Sequence, residues 1–290
     1  MIRNSKAYPY LLIAPAMLAL FAFVVYPMGY LVYLSFTNWN IINPVKKFIG
    51  LTNYATMFAR EEFYTVAWNT FVYTFFVVAV TLVLSLLLAI WFNKNTKFNI
   101  FGQAAIFTPH IISLVSISMV WMWIMDPEIG LLNYILGWLG IPPLRWLQSS
   151  DTAMLSIILV SVWKGLGYYT LVILASLQSI PPSIYEACEL DNASKTQVFF
   201  KITLPMISPQ LFFLLIVMTI ASFKVFDTIR IMTGGGPNNA TNMFVYYIYE
   251  YAFVNMKIGY ASAVGVVLLG FISIITVIYF KVLSKKVHYQ

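Results

Sequence analysis

The sequence predicts an all-α membrane protein with six transmembrane helices. Of its 290 residues, 61% are hydrophobic and only 9% are charged, whereas soluble proteins carry roughly 25% charged residues. Six apolar runs each reach the ~20 residues that a helix needs to cross a bilayer. They cover approximately residues 8–33, 68–92, 104–125, 152–178, 206–226 and 261–280.

Lysine and arginine predict the orientation of these spans, because cytoplasmic loops carry an excess of basic residues. Six spans place both termini and the loop at 180–209 on one side, which holds Arg3, Lys6, Lys94, Lys97, Lys195, Lys201, Lys281, Lys285 and Lys286. The other side holds Lys46, Lys47, Arg60, Arg145, Arg230 and Lys257, spread over more chain. We therefore expect both termini in the cytoplasm.

The net charge of +7 is explained by this topology and by contact with anionic membrane lipid, so no nucleic-acid partner is expected.

Two regions are predicted within this membrane domain. Residues 1–65 contain the first transmembrane helix and an external segment, and residues 66–290 form a five-helix core that includes the polar loop at 180–209. The first apolar run is too long for a signal-peptide core, and no small-residue cleavage site stands out. We expect it to be retained as a span.

The polar loop at 180–209 is predicted to form two short capped helices. Pro181 and Pro182 end the fourth span, since proline cannot donate to the helical ladder. The pairs Ser183/Glu186 and Ser194/Gln197 have the S-x-x-[E/Q] spacing of a capping box. Between the two helices, Asn192 tolerates the left-handed conformation that closes a helix. Pro205 is predicted to open the fifth span. The first helix is acidic, which suggests docking into a basic surface.

The same loop carries a family resemblance. EACELDNA at residues 186–193, followed by ITLP at 202–205, resembles the E-A-A-x-x-D-G-A…I-x-L-P signature of the membrane subunits of binding-protein-dependent ABC importers. In that family the loop is the coupling helix, which fits a cleft in the ATP-hydrolysing subunit. The resemblance implies that the ATPase-docking residues are Glu186, Ala187, Cys188, Glu189, Asp191, Asn192 and Ala193. Cys188 and Asn192 depart from the pattern, where the family has alanine and glycine. On the caps alone, an ordinary cytoplasmic loop would be the preferred interpretation.

Charged side chains within spans indicate where a transported molecule could pass, because they are costly there and normally face a bundle interior or a wet cavity. Lys164 lies midway along the fourth span in WKGLGYY, where Gly165 and Gly167 would permit close helix approach or local opening of the backbone. Lys224 and Asp227 lie at the outer end of the fifth span, and their spacing of three is equally consistent with an intrahelical ion pair. The predicted substrate path consists of Lys164, Tyr168, Tyr169, Lys224 and Asp227.

Further runs narrow the resemblance to the carbohydrate-uptake branch of these importers. They are FDTIRIMTGGGP at 226–237, YYIY at 246–249, GYASA at 259–263, YPYLLIAP at 8–15 and GLTNY at 50–54. The chain looks like the first of the two permeases in maltose-type, multiple-sugar and glycerol-phosphate importers. This implies a bacterial cytoplasmic membrane, a heterodimer with a second homologous permease, two ATP-binding subunits and an external sugar-binding protein. The loop Thr233, Gly234, Gly235, Gly236 and Pro237 is expected to face that binding protein.

No catalytic constellation is visible in the sequence. There is no G-x-x-x-x-G-K-[ST] motif, and GGGPNNA at 234–240 lacks the lysine and helix start of a phosphate-binding loop. His110 and His288 are too few and too distant in sequence for a recognisable metal site. We expect a transport subunit that is not an enzyme and binds no cofactor, with ATP and Mg bound by the partner ATPases.

The sequence leaves the transported molecule open. Aromatic residues make up 17% of the chain, but Trp and Tyr collect at membrane interfaces regardless of substrate, and Trp121, Trp123, Trp138 and Trp146 are predicted to be interface or loop anchors. The resemblance implies import of a sugar, with an oligosaccharide preferred, by alternating access. Glycerol phosphate or another polar solute is the alternative. A stand-alone secondary transporter is disfavoured because no repeat pair is visible and because few carboxylates lie within the spans.

Overall fold

The computed structural model describes residues 8–42, 45–94 and 96–283, and almost all of their regular structure is helical. The elements in chain order are α1 (Tyr8–Leu20), α2 (Tyr26–Ser35), β1 (Thr37–Asn38), β2 (Lys47–Phe48), α3 (Thr52–Phe58), α4 (Glu61–Phe92), α5 (Lys97–Ile111), α6 (Leu114–Ile124), α7 (Leu131–Trp138), α8 (Ser150–Gln178), α9 (Pro182–Leu190), α10 (Lys195–Val198), α11 (Leu204–Phe223), α12 (Asp227–Met232), α13 (Phe244–Tyr249) and α14 (Ile258–Ile278). Turns of π-helix occupy Phe21–Val25, Phe199–Thr203, Glu250–Val254 and Tyr279–Leu283. Predictions that involve Arg3, Lys6, Lys285, Lys286 and His288 fall outside the described residues.

The described helices supply the predicted spans. Five segments are long and apolar enough to cross a membrane: Tyr10–Ser35, Glu61–Phe92, Ser150–Gln178, Lys195–Met232 and Ile258–Lys281. A sixth is obtained if α5 and α6 are counted together. The predicted third span at 104–125 corresponds to α5 and α6, which are bent by 101° at the break between them. Pro109 lies in the last turn of α5, where a proline weakens the helical ladder.

The chain divides into two compact units, which we describe separately. One contains the N-terminal part up to Phe63 together with Tyr247–Gly270, and the other contains Tyr64–Tyr246 and the chain from Phe271 onward. The predicted division at residue 65 differs from this grouping, because it left Tyr247–Gly270 with the core.

In the first unit, the GLTNY and GYASA motifs meet at the end of α2. Asn53 is 8% exposed, and its Nδ2 donates to the carbonyls of Ser35 at 2.8 Å and Thr37 at 3.0 Å. The amide side chain thus satisfies carbonyls that the ending helix leaves without partners. A Cβ at Gly259 would lie 1.9 Å from the carbonyl oxygen of Thr37. Only glycine permits this approach of α14 to the end of α2.

In the second unit, α4, α8 and α11 bury a common apolar core. Its buried members are Val78, Ala89, Phe92, Ile173, Leu174, Leu177, Ile180, Ile207, Leu214 and Met218. The next helix, α5, lies against α8 at Gly167, where a Cβ would be 1.9 Å from the carbonyl oxygen of Ile106. The prediction that Gly167 permits close helix approach is therefore confirmed. On the α4 side, Ser85 Oγ donates to the carbonyl of Leu166 at 3.2 Å.

A smaller core in the same unit lies between α6 and α8, and it corrects one tryptophan assignment. Trp146 is 8% exposed and packs with Ile117, Met125 and Val160. Its Nε1 donates to Oδ1 of Asn133 at 2.9 Å. Trp146 is therefore a core residue, because the loop after α7 folds back onto α6 and α8 and buries it. By contrast, Trp123 and Trp138 are exposed.

Candidate functional site

A cavity of about 310 Å³, lined by both apolar and polar residues, lies within the second unit. Its walls come from α4, α5, α8, α11 and the start of α12, and its polar lining residues are Tyr73, Thr81, His110, Ser161, Lys164, Tyr169, Ser222, Lys224, Asp227 and Thr228. Four residues of the predicted substrate path therefore line one cavity. The fifth, Tyr168, lies on a different groove with Phe107 and Gln210, because consecutive residues of a helix point about 100° apart.

Lys164 is held by backbone at the edge of this cavity. Its Nζ donates to the carbonyl oxygens of Pro109 at 3.2 Å, His110 at 3.3 Å and Ile112 at 2.9 Å. These carbonyls belong to the end of α5, where helical groups lack partners within the helix. The His110 ring also stacks on the Tyr168 ring, with centroids 4.6 Å apart. The break between α5 and α6 is thus fastened to α8 beside the cavity.

Lys224 and Asp227 do not form the intrahelical pair that their spacing allowed. Helix α11 ends at Phe223, Lys224 is its C-cap with φ −100° and ψ 13°, and Asp227 starts α12. The helix breaks between the two residues, so a spacing of three no longer places them on one face. Both side chains are exposed, and no ion pair joins them in the described part of the chain. Among the described residues, the cavity lining therefore includes an exposed Lys224 ammonium and an exposed Asp227 carboxylate that do not pair with each other.

The cavity also contains uncharged polar groups that the sequence did not single out. Tyr73 on α4 donates its hydroxyl to Ser161 Oγ on α8 at 2.8 Å. Thr81 is 1% exposed, and within the described residues its hydroxyl has no hydrogen-bond partner. Tyr73, Val77 and Thr81 recur at intervals of four on one face of α4. This spacing of four could have identified these residues from the sequence. A search for charged residues within the spans could not, because all three are uncharged.

The predicted ATPase-docking segment is a short helix followed by a tight turn. Helix α9 rests on the core through Ile184 and Tyr185, which pack against the cluster of α4, α8 and α11. Its opposite surface is open: Glu186, Ala187, Glu189, Asp191 and Asn192 are exposed, and Cys188 and Ala193 are half-buried. Because one face of α9 packs on the core and the other face is exposed, a partner bound to the exposed face could move the membrane-spanning helices.

The end of α9 confirms the predicted role of Asn192. Its φ is +52°, and its N–H donates to the carbonyl of Glu189 at 3.0 Å. The next N–H, of Ala193, donates to the carbonyl of Cys188 at 3.0 Å. These two bonds form a Schellman motif, in which asparagine tolerates the left-handed position that glycine usually takes.

One of the two predicted capping boxes is present. Ser194 Oγ accepts from the N–H of Gln197, and Gln197 Oε1 accepts from the N–H of Ser194. The box at Ser183 is wrong, because the helix starts two residues earlier than that box requires, with Pro181 at the N-cap and Pro182 at the first helical position. Proline suits that position, since its missing N–H would have no helical partner there.

Pro205 lies in the first turn of α11, as predicted, but α11 does not begin there as a separate helix. Helix α10 starts at Lys195 and continues through the π-helical turn Phe199–Thr203 directly into α11. Thr203 is itself helical, with φ −62° and ψ −52°. The wider π-helical turn provides room for a proline within a continuous helix. The predicted docking segment therefore connects to the fifth span without a loop.

The segment Thr233–Pro237 forms a compact turn. Gly234 and Gly235 have φ of +56° and +78°, which glycine adopts without strain. The Thr233 and Thr241 hydroxyls lie 2.8 Å apart. A Cβ at Gly235 would meet the Tyr246 ring at 2.8 Å. The turn therefore presents a fixed shape, with Gly234 exposed at its surface.

Relatives of known sequence match this chain along nearly its whole length, among them the following three. The probable ABC transporter permease protein YurN of Bacillus subtilis is 37% identical over 274 residues, covering 93% of each chain. The sulfoquinovosyl glycerol transport system permease protein SmoG of Agrobacterium fabrum is 34% identical, covering 95% of this chain and 90% of its own. The sn-glycerol-3-phosphate transport system permease protein UgpA of Yersinia pestis is 33% identical, covering 97% and 96%.

The fold has a close counterpart among solved structures. A chain in the crystal structure of a bacterial alginate ABC transporter, in complex with an alginate pentasaccharide-bound periplasmic protein, superposes with a TM-score of 0.84 at 23% identity. The alignment covers 97% of this chain and 96% of that one. The family model described as "Binding-protein-dependent transport system inner membrane component" matches residues 69–289. The chain therefore belongs to the family of binding-protein-dependent transport system inner membrane components.

Proposed function

We propose that this chain is a permease subunit of an ATP-driven importer, which moves a sugar, with an oligosaccharide preferred, from an external binding protein into the cytoplasm. The observation that carries the proposal is the cavity, whose lining includes Lys164, Tyr169, Lys224 and Asp227 among membrane-spanning helices. A cavity of about 310 Å³ lies at the small end of the range for ligand sites. It therefore suits part of a saccharide, with the second permease supplying the remaining contacts.

The predicted coupling helix supports the ATP-driven part of the proposal. Helix α9 exposes Glu186, Glu189 and Asp191 while its other face packs on the core. Two ATP-binding subunits would each bind one permease of a heterodimer. Their nucleotide-driven closure would move α9, and the continuous helix from Lys195 to Phe223 would carry that movement towards the cavity. The cavity would then open alternately to the two sides of the bacterial cytoplasmic membrane.

An anionic solute is the second candidate for the substrate. Two of the matched relatives are named for glycerol phosphate and for sulfoquinovosyl glycerol. In this chain Lys224 lines the cavity, is exposed and has no partner in the described residues. A free ammonium can bind a phosphate or sulfonate, whereas the neighbouring Asp227 carboxylate would accept sugar hydroxyls.

Two charge-neutralising substitutions separate these candidates. For a neutral sugar, Asp227→Asn should raise the KM of uptake about tenfold, because a hydrogen bond to a charged group contributes ~1.5–3 kcal/mol. Lys224→Gln should then change the KM less than about threefold. For an anionic solute we expect the opposite, with the larger rise in KM for Lys224→Gln and the smaller change for Asp227→Asn. Uptake into proteoliposomes that contain the full complex measures both values. An unchanged KM in both variants, for every transported solute, would exclude the cavity as the binding site.

Co-purification tests the proposed assembly. The tagged chain, extracted in mild detergent, should bring with it a second six-span protein and an ATP-binding protein, which mass spectrometry would identify. Uptake by the reconstituted complex should require ATP and the binding protein, and should persist when the membrane potential is discharged. Recovery of the chain alone, still able to transport after reconstitution, would refute the proposal and favour a secondary transporter.

A further inference from the structure

The end of α5 presents three backbone carbonyls to a single cation. Ile112 leaves the helical conformation with φ −72° and ψ 143°, so the carbonyls before it have no further turn of helix to bond to. The C-terminal end of a helix also carries a partial negative charge. The three oxygens that contact Lys164, on Pro109, His110 and Ile112, all lie within 3.3 Å of its Nζ.

This arrangement uses the whole donor capacity of the lysine. An ammonium has three N–H donors, and Lys164 directs one to each carbonyl. No carboxylate pairs with Lys164 in the part of the chain that the structure describes. Its charge is therefore balanced by peptide dipoles rather than by an acidic side chain, and no donor is left for a substrate.

Unwound carbonyls at the ends of broken membrane helices are also how ion-coupled transporters bind Na⁺. We propose that the carbonyls of Pro109, His110 and Ile112 form a site for a monovalent cation, which the Lys164 ammonium occupies as a covalently tethered ion. Lys164 is then a positioning residue, which holds the α5–α6 break against α8 and sets one wall of the cavity. The transport readout below rests on the proposed function, whereas the stability readout does not.

Removal of the Lys164 ammonium should leave a site that a small ammonium ion from solution can occupy. Lys164→Ala leaves space beside the carbonyls, and the cavity gives small solutes access to it. We expect its uptake to fall about tenfold, because charge-assisted bonds and a helix-end charge interaction are lost. Ethylammonium chloride at millimolar concentrations should restore at least a third of the lost uptake and raise the Tm of the purified complex saturably.

Two controls make this rescue specific. Tetramethylammonium has the same charge but no N–H donor, so it should restore neither uptake nor Tm. Lys164→Met fills the space with an uncharged side chain, so ethylammonium should not rescue it. If Lys164→Ala fails to assemble, ethylammonium present during extraction should restore assembly, and failure to do so would count against the site.

Other results would overturn the inference. The first is a folded Lys164→Ala complex whose uptake and Tm do not respond to ethylammonium. The second is a Lys164→Met variant with wild-type uptake. The third is a loss of uptake in Lys164→Ala that is seen only as a higher KM, which would make Lys164 a substrate ligand. Failure of the proposed function would look different. Wild-type proteoliposomes would then show no ATP-dependent uptake, while the Tm of Lys164→Ala would still report whether the cation site exists.

Discussion

Replacement of Glu186 by lysine is expected to lower solute uptake at least about tenfold, the effect of breaking one charge pair at a protein–protein contact. Glu186 is exposed on α9, and its side chain makes no ion pair or hydrogen bond within the described residues. The folded chain therefore does not depend on this carboxylate, which remains available for a basic group of the ATPase. Uptake and solute-stimulated ATP hydrolysis in proteoliposomes should fall together, while the external binding protein should bind its sugar normally.

A second charge reversal provides the matched control. Glu128 is also exposed, and it lies in the loop between α6 and α7, away from the docking segment in sequence. Glu128→Lys should leave solute-stimulated ATP hydrolysis unchanged. If Glu186→Lys retains wild-type uptake and hydrolysis, α9 is not the docking helix.

The substitution Gly167→Ala is expected to have the other large effect. A Cβ there would lie 1.9 Å from the carbonyl oxygen and 2.4 Å from the carbonyl carbon of Ile106, and 2.7 Å from the nitrogen of Phe107. These are backbone atoms, so a side-chain rotation cannot relieve the contact and α5 must move away from α8. Overpacking of this kind costs ~1–3 kcal/mol. The displacement should also separate the end of α5 from Lys164, so the Tm of the complex and its uptake should both fall.

Gly270 is the control for this change. It lies within α14, and a Cβ there would have nothing within 4 Å. Gly270→Ala should keep or slightly raise the Tm, because alanine is favoured over glycine within a helix by up to about 1 kcal/mol. A Gly167→Ala complex with the Tm and uptake of the wild type would show that the two helices are not held this closely.

Local chemistry was predictable where it depends on a few neighbouring residues. Apolar runs of span length located the helices, since a backbone in lipid must satisfy its own hydrogen bonds. The box at Ser194 and the left-handed turn at Asn192 were correct, because both are formed within one turn of chain. The box at Ser183 failed for a similarly local reason, since the adjacent Pro181–Pro182 pair moved the helix start.

The sequence by itself determined a multi-span helical protein, its family motifs and the charged residues that are costly in a membrane. Only the tertiary structure decided what those residues contact. It placed Lys164 on the carbonyls of a broken helix, separated Lys224 from Asp227 by a helix end, and buried Trp146 in a core. Each outcome depends on contacts between residues that are distant in sequence, such as the contact of α5 with α8 at Gly167. The periodicity of one span does not show which other helix packs against it.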